Sequence, residues 1–294
     1  MNNRKKRSIG LIVLIAVLLA LFIAELVWSN TKLTVARCTV SSSKVRSSFR
    51  IVLVSDLHGA RFGRGNSRLI GAIAAEEPDI IALAGDIIDG HANKKAPERL
   101  CEFISALAEI APVYYGMGNH EYYYMKQHGE ELRERIADAG AVIVDGNYVE
   151  TELGGTQVRI GGYEGYYRTP HMDTDDEEKL EADRRFFSDF EDTESFKLLL
   201  NHIPTNWLDW DYRDRFPVDL VLSGHYHGGI VRIPFTERGL YAPYVGFFPR
   251  YTRGCFEGEE ATCVLSAGLA GANGFPRIFN PPEIVTVEVV PENP

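Results

Sequence analysis

The sequence predicts an α/β domain with at least partly parallel strands, preceded by one transmembrane helix. Short apolar runs alternate with amphipathic, helix-like segments through the first half of the chain, the order that builds a parallel or mixed sheet. An uncharged stretch from Ile9 to Ala24 precedes them; with Glu25-Leu26-Val27-Trp28 it supplies the roughly 20 residues of one bilayer crossing. Five of the apolar runs end in metal-capable side chains, and in α/β sheets the loops at the carboxyl ends of strands converge on a common site.

Composition sets the outer limits. A chain of 294 residues, 45% hydrophobic and 24% charged, can bury a large core, which excludes disorder. Its formal net charge of −10 argues against nucleic acid as a stable partner, because phosphates are repelled by such a surface. An anionic substrate therefore needs a strong local positive centre.

The N-terminal run is longer than the roughly 7–15 residues of a secretory core and lacks a small-residue cleavage site. It reads as a retained anchor over residues 1–29, with Trp28 at the interface. The basic cluster Arg4-Lys5-Lys6-Arg7 favours an inside N-terminus. Lys32, Arg37, Lys44 and Arg46 dilute that asymmetry, yet the expectation is a single-pass cell-membrane protein with an extracytoplasmic catalytic domain. Residues 30–47, rich in Ser, Thr and Lys, read as a linker, and 48–294 as one domain.

Within it, strands are expected at 49–54, 79–84 and 113–117, with helices from Asn66 to about Glu77, from Pro97 to Ile110, and from about Tyr122 to Ala139. The second half is richer in strands, at 141–144, 148–153, 157–161, 197–200, 220–222, 230–233, 261–266 and 284–290. The acidic run 173–178 fits a helix start. None of the four cysteines forms a CxxC pair, so a zinc ribbon or thioredoxin-type site is not indicated. Cys255 and Cys263 flank a hairpin tip and are either bridged across it or two buried thiols.

The strand ends carry the chemistry. Ile51-Val52-Leu53-Val54 leads into Asp56-Leu57-His58, Ile80 to Ala84 into Gly85-Asp86-Ile87-Ile88-Asp89, and Val113 to Met117 into Gly118-Asn119-His120-Glu121. Lys197 to Leu200 leads into His202, and Leu220 to Leu222 into Gly224-His225-Tyr226-His227. One such residue alone is a turn or cap; five at one sheet edge are not packing accidents. Imidazole with carboxylate and amide oxygen, and no thiolate, suits Mn, Fe or Zn. There are too many donors for one tetrahedral ion, and paired ions are a common clamp for phosphate-ester cleavage.

This ordered set resembles the signature of the calcineurin-like metallophosphoesterases, and the ending from Leu265 through Ile284 is similar to their bacterial, often membrane-anchored branch, including UDP-2,3-diacylglucosamine pyrophosphohydrolase-like enzymes. The resemblance implies a four-layer α-β-β-α sandwich of two mixed sheets. It implies two divalent ions, Mn first and Fe or Zn as alternatives: Asp56, His58 and His227 on one, Asn119, His202 and His225 on the other, and Asp86 between. A metal-bridging hydroxide would attack phosphorus, His120 would act at the leaving oxygen, and Asp89 would orient and charge His120. Tyr226 would point away between His225 and His227, as neighbours do in an extended segment.

Arg61 and Arg64 could reach a distal phosphate or simply lie on the surface. Tyr166, Tyr167, Arg168 and His171 could form a substrate rim or a structural aromatic cluster. The expected substrate is phosphorylated and membrane-proximal, a lipid or glycolipid phosphate; soluble nucleotides or phosphoproteins are the alternative. A noncatalytic binding module of the same fold would have lost ligands, and none is missing here.

Overall fold

Alternation along the strands sorts the apolar side chains into three cores. The computed structural model describes residues 3–163, 177–210, 212–214, 216–272 and 274–292. Helix α1 (Asn3–Thr31) leads into β1 (Thr34–Ser42) and β2 (Phe49–Val54). Next come α2 (Ser67–Ala75), β3 (Ile80–Ala84), α3 (Ala96–Ala108), β4 (Val113–Gly116), the pair α4 (Asn119–His128) and α5 (Glu131–Asp138), and β5 (Ala141–Ile143). The second half runs β6 (Asn147–Leu153), β7 (Thr156–Tyr163), α6 (Glu177–Glu191), β8 (Phe196–Asn201), the one-turn α7 (Thr205–Leu208) and β9 (Leu220–Ser223). A small ribbon, β10 (Tyr241–Ala242) with β11 (Gly246–Phe247), precedes β12 (Gly254–Glu257), β13 (Thr262–Leu265) and β14 (Glu283–Pro291).

Two six-stranded sheets result, in the orders β1-β14-β2-β3-β4-β5 and β12-β13-β9-β8-β7-β6. Both are mixed: β2 through β5 run parallel while β14 opposes β2, and β7, β8, β9 and β13 run parallel between antiparallel edges. Ile51 and Leu53 face Leu198, Leu200, Leu220 and Leu222 between the sheets. Val52, Val54, Ile81 and Leu83 point the other way, against Leu69, Ile73, Leu100, Ile104 and Ile136 of α2, α3 and α5. Leu199, Val221 and Leu265 meet Phe186, Phe190 and Trp207 of α6 and α7. A strand buried on both faces must be apolar at every position, which is why β3 and β8 read as unbroken apolar runs. The expected four-layer sandwich is present.

Several expectations change. Residues 34–42, assigned above to a linker, form β1, which pairs with β14 along nine positions from Thr34–Glu283 to Ser42–Pro291. Its Cys38 and Val40 are buried between the sheets, a long-range pairing that local composition does not reveal. The single helix expected from 122 to 139 is broken at Gly129, whose φ of +100° ends α4. At 230–233 only isolated bridges form, Val231 to Ile278 and Arg232 to Gly239. Cys255 is not bridged to Cys263. In the β12–β13 ladder Cys255 opposes Val264 while Cys263 opposes Phe256, so the two thiols lie on opposite faces. Cys255 instead forms a disulfide with Cys38, joining the two sheets, and Cys263 is a buried thiol.

Helix α1 is the one described helix long and apolar enough to cross a membrane, a length and composition that spans share with signal sequences. Its last turns are docked on the domain. Glu25 accepts the Phe279 N–H, Ser29 Oγ accepts the Asn280 N–H at 3.1 Å, and Asn30 exchanges hydrogen bonds of 2.9 and 3.0 Å with the Arg277 backbone.

Candidate metal centre

The first ligand pair sits just beyond β2, the next carboxylate just beyond β3, and in both places the chain turns sharply. Asp56, His58, Asp86, His225 and His227 all have positive φ, between 44° and 71°. That left-handed region costs a residue with a side chain about 1–2 kcal/mol, so neighbouring loops must hold it. The Asp56 N–H donates to Gly85 O at 3.1 Å, His58 N–H to Asp86 O at 2.9 Å, and His225 N–H to Asp56 Oδ1 at 3.0 Å. His225 and His227 are therefore presented by a tight turn, not by the extended segment expected. Tyr226 does point away: its hydroxyl donates to Asp209 at 2.7 Å and meets Thr205 at 2.9 Å.

Glycine is required where these turns touch. Gly85 has φ +81°, and a Cβ there would lie 2.7 Å from the Gly118 nitrogen and from His202 Nδ1. At Gly268, φ +68°, a Cβ would lie 2.6 Å from that of Asp56. Backbone this close leaves no room for a side chain.

Six of the seven predicted ligands and His120 come together, and the seventh, Asn119, lines the same cavity. Ligand atoms of Asp56, His58 and His227 lie within 4.8 Å of one another, as do those of His58, Asp86 and His120, and those of Asp86, His202 and His225. Asp86 Oδ2 is 3.1 Å from His202 Nε2 and 3.7 Å from His58 Nε2, and Asp56 Oδ1 is 3.5 Å from His227 Nε2. His202 Nδ1 donates to Ala84 O at 2.7 Å and His227 Nδ1 to Ala270 O at 3.1 Å. These bonds turn each Nε2 lone pair toward the centre, the usual arrangement behind a metal-bound imidazole.

The buried polar atoms without a hydrogen-bond partner include His58 Nε2, Asn119 Oδ1, His202 Nε2 and His225 Nε2. Buried polar atoms are normally satisfied, and four orphaned donor atoms around two carboxylates fit divalent cations. Burial lowers the His58 pKa to about 4 and pushes His225 well below the ordinary value, leaving both neutral and able to ligate. Burial opposes the charge of Asp86 too, but His202 first, with His58 and His120, outweighs it and holds the carboxyl low; Asp86 in turn outweighs burial at His202 and raises that imidazole to about 10, so a cation there takes the place of the Nε2 proton.

Glu121 emerges as the brace of the centre. Fully buried, it accepts the N–H groups of Asp86 (2.8 Å), Ile87 (2.8 Å), Ile88 (3.2 Å) and Gly118 (2.9 Å), and the Tyr115 hydroxyl at 2.8 Å. The loops after β3 and β4 are thereby locked together. Sequence alone suggests a supporting or helix-start residue rather than a catalyst, and Glu121 stands in the first turn of α4. His120 N–H donates to Asp86 Oδ1 at 2.8 Å. Its Nδ1 accepts the Gly90 N–H at 3.0 Å, while Asp89 Oδ1 stands 3.6 Å away. In the neutral ring the proton thus sits on Nε2.

The cluster opens into a cavity of about 580 Å³ lined also by Asp89, His91, Pro243, Tyr244 and Gly271. Tyr244 stacks on His225 with ring centroids 5.0 Å apart, a rim residue that no sequence motif announced. A second cleft of about 760 Å³ shares His58, Asp89 and His91 and carries the exposed Arg61, with Arg64 and Arg99. Tyr166 and Arg168, named above as rim candidates, lie outside the described residues, as do Tyr167 and His171. Arg277 and Asn280 were likewise not singled out. Arg277 is buried and donates to Ala267 O, Ala270 O and Asn280 O at 2.6–2.8 Å, and Asn280 Nδ2 donates to His227 O at 2.7 Å.

A four-layer sandwich that gathers two carboxylates, an amide and four imidazoles at its strand ends has the donor set of a dinuclear metal site. The chain belongs to the calcineurin-like phosphoesterase family, whose profile matches residues 49–229. Among curated proteins it is 28% identical over 193 residues to the uncharacterized metallophosphoesterase YkoQ of Bacillus subtilis, covering 64% of each chain. It is 27% identical over 257 residues to the uncharacterized metallophosphoesterase Cj0846 of Campylobacter jejuni, covering 85% of this chain and 61% of that one. To phosphodiesterase YaeI of Escherichia coli it is 27% identical over 251 residues, 82% of each. The chain spans a little under two thirds of the length of the first two relatives.

Proposed function

We propose that this chain is a metal-dependent phosphoesterase, held to a membrane by α1, that cleaves phosphate ester or pyrophosphate bonds of a membrane-proximal lipid or glycolipid. The observation that carries the reaction class is the set of orphaned donor atoms on His58, Asn119, His202 and His225 around Asp56 and Asp86. Asp56, His58 and His227 would hold one divalent ion and Asn119, His202 and His225 the other, with Asp86 between them; manganese is the first candidate. Such ions supply Lewis-acid polarisation of phosphoryl oxygens and lower the pKa of water.

The side chains of the protein do the rest. Asp56 accepts the His225 N–H and Asp86 that of His120, tying neighbouring loops to the carboxylates, and the His202 and His227 ring bonds to backbone carbonyls hold those rings in place. His120, lining the cavity, donates a hydrogen bond from Nε2 to the leaving oxygen. Full proton transfer needs an imidazolium, whose Nδ1–H would exchange the Gly90 N–H for the Asp89 carboxylate 3.6 Å away. The anchoring reading draws support from the docking of α1 on the 277–280 loop, which a cleaved segment would leave bare. The Cys38–Cys255 disulfide favours an oxidising, extracytoplasmic setting.

The reading is tested with full-length protein in detergent, metal-stripped and then given Mn, on bis(p-nitrophenyl) phosphate and p-nitrophenyl phosphate. Mn-dependent turnover lost in Asn119→Ala and Asp86→Asn is expected. Folded, metal-loaded protein inert on both esters and on phosphate lipids would overturn it.

A further inference from the structure

Exposed aromatic rings form a strip that runs from the end of α1 to the mouth of the cavity. Phe279 is 47% exposed, Phe275 67%, Phe248 57% and Phe247 72%. Large bare rings scattered singly need no explanation, but four carried on interlinked segments beside a site mark an interaction surface. Backbone hydrogen bonds and two ring contacts link the segments that carry these rings. The Phe279 N–H is held by Glu25 of α1. Its neighbour Ile278 bridges to Val231, Val231 O accepts the Leu240 N–H at 2.7 Å, and Leu240 O accepts the Phe248 N–H at 2.9 Å. The Phe248 and Phe247 rings lie 6.4 Å apart, and Phe247 meets Tyr241 at 5.4 Å. The β10–β11 ribbon that carries Tyr241 and Phe247 ends its turn in Tyr244, stacked on His225. On the other side, the Phe275 N–H bonds Ala272 O at 2.9 Å, and Ala272 lines the cavity.

The depth of this strip follows from α1. Trp28 is 56% exposed with the Lys32 ammonium 5.6 Å from its ring centroid, the aromatic and cationic pairing that settles at headgroup level. Glu25 lies three residues closer to the middle of the span, about 4.5 Å at 1.5 Å per residue. Phe279, bonded to Glu25, therefore sits at or below the level of Trp28. A domain fixed in that position cannot keep its 275–279 loop in water.

We infer that the strip formed by Phe247, Phe248, Phe275 and Phe279 is a membrane-docking surface, seated in the interface of the bilayer that α1 crosses, so that the mouth of the metal centre opens among the lipid headgroups. This rests on the proposed reading of α1 as a retained span. Aromatic side chains favour that interfacial zone, their rings in the acyl boundary and their edges toward water. A substrate phosphate carried on a lipid would then reach the centre without its chains leaving the membrane.

The test uses the full chain in phosphatidylcholine nanodiscs containing lipids brominated near the headgroup end of the acyl chain. Phe247→Trp and Phe279→Trp are compared with the parent and with Val142→Trp. Val142 is an exposed residue on β5, at the opposite edge of the sheet from β1, into which α1 runs. A parental thermal transition confirms that each variant is folded. The expected result is that bromine removes the added emission of Phe247→Trp and Phe279→Trp, spares that of Val142→Trp, and quenches part of the parental signal through Trp28. If Trp28 is quenched while both new tryptophans behave like Val142→Trp, the docking surface is wrong and the span stands. If Trp28 is untouched as well, the span reading fails and the docking surface with it.

Discussion

Glu121 carries more of the centre than any ligand does, because it neutralises the unpaired N–H groups of two loops at once. Replacing it with leucine strands four backbone donors and the Tyr115 hydroxyl, each costing about 1–3 kcal/mol when buried without a partner. Glu121→Leu is expected to lower the thermal transition sharply and to abolish metal retention, whereas Glu121→Gln keeps one acceptor oxygen and loses less. An unchanged transition in Glu121→Leu would show that the loops hold themselves. Gly85→Ala tests the close approach directly. The left-handed φ adds about 1–2 kcal/mol, and the new methyl displaces His202; metal affinity should fall by more than global stability does. At His120 the leaving group discriminates. Proton donation matters most for a poor leaving group, so His120→Ala and Asp89→Asn should slow alkyl esters far more than p-nitrophenyl esters. Equal losses on both would leave Asp89 a turn carboxylate held by its bond to the His91 N–H.

Among the elements, the 277–280 loop has two attachments, one to α1 and one to the centre. Arg277 and His227 share the carbonyl of Ala270 as acceptor, and Asn280 holds the carbonyl of His227. Removing the guanidinium in Arg277→Met leaves three buried carbonyls without that donor. The expected effects are a stability loss of about 2–4 kcal/mol at about 1 kcal/mol or more per bond, and weaker metal binding at the ion held by His227, read by chemical denaturation and by metal titration. The β1 edge makes a separate statement. With Cys38 and Cys255 joined, natively prepared protein should expose two thiols to a labelling reagent after denaturation, those of Cys101 and Cys263. Four would mean that the sheets are not stapled.

For the molecule as a whole, what could be read in advance was whatever is local. Each ligand block follows its own apolar strand within a few residues, so Asp56, His58, Asp86, Asn119, His120, His202, His225 and His227 could all be named, and all converge. The layer order followed from the family resemblance those blocks carry. What escaped depends on partners far along the chain. The β1–β14 pairing and the Cys38–Cys255 bond join segments more than 200 residues apart, and Arg277 and Asn280, within the 265–284 ending that carries the resemblance, hold the His227 turn about 50 residues earlier in the chain, a role that the resemblance did not assign. Turn geometry escaped for another reason: the left-handed backbone at His225 and His227 is imposed by contacts with Asp56 and the Ala270 carbonyl, which local sequence does not display. The aromatic strip, drawn from residues 241–248 and 275–279, has no periodicity at all.

The most direct measurement is metal stoichiometry taken together with turnover. Full-length protein, stripped and then titrated with Mn, is assayed by elemental analysis and by bis(p-nitrophenyl) phosphate hydrolysis, with Asp86→Asn alongside. Two equivalents bound per chain are expected, activity rising with occupancy of the second, and Asp86→Asn should lose both the second equivalent and the activity. A folded protein that binds one equivalent or none, or an Asp86→Asn variant that keeps two and turns over normally, would contradict a dinuclear centre built around Asp86.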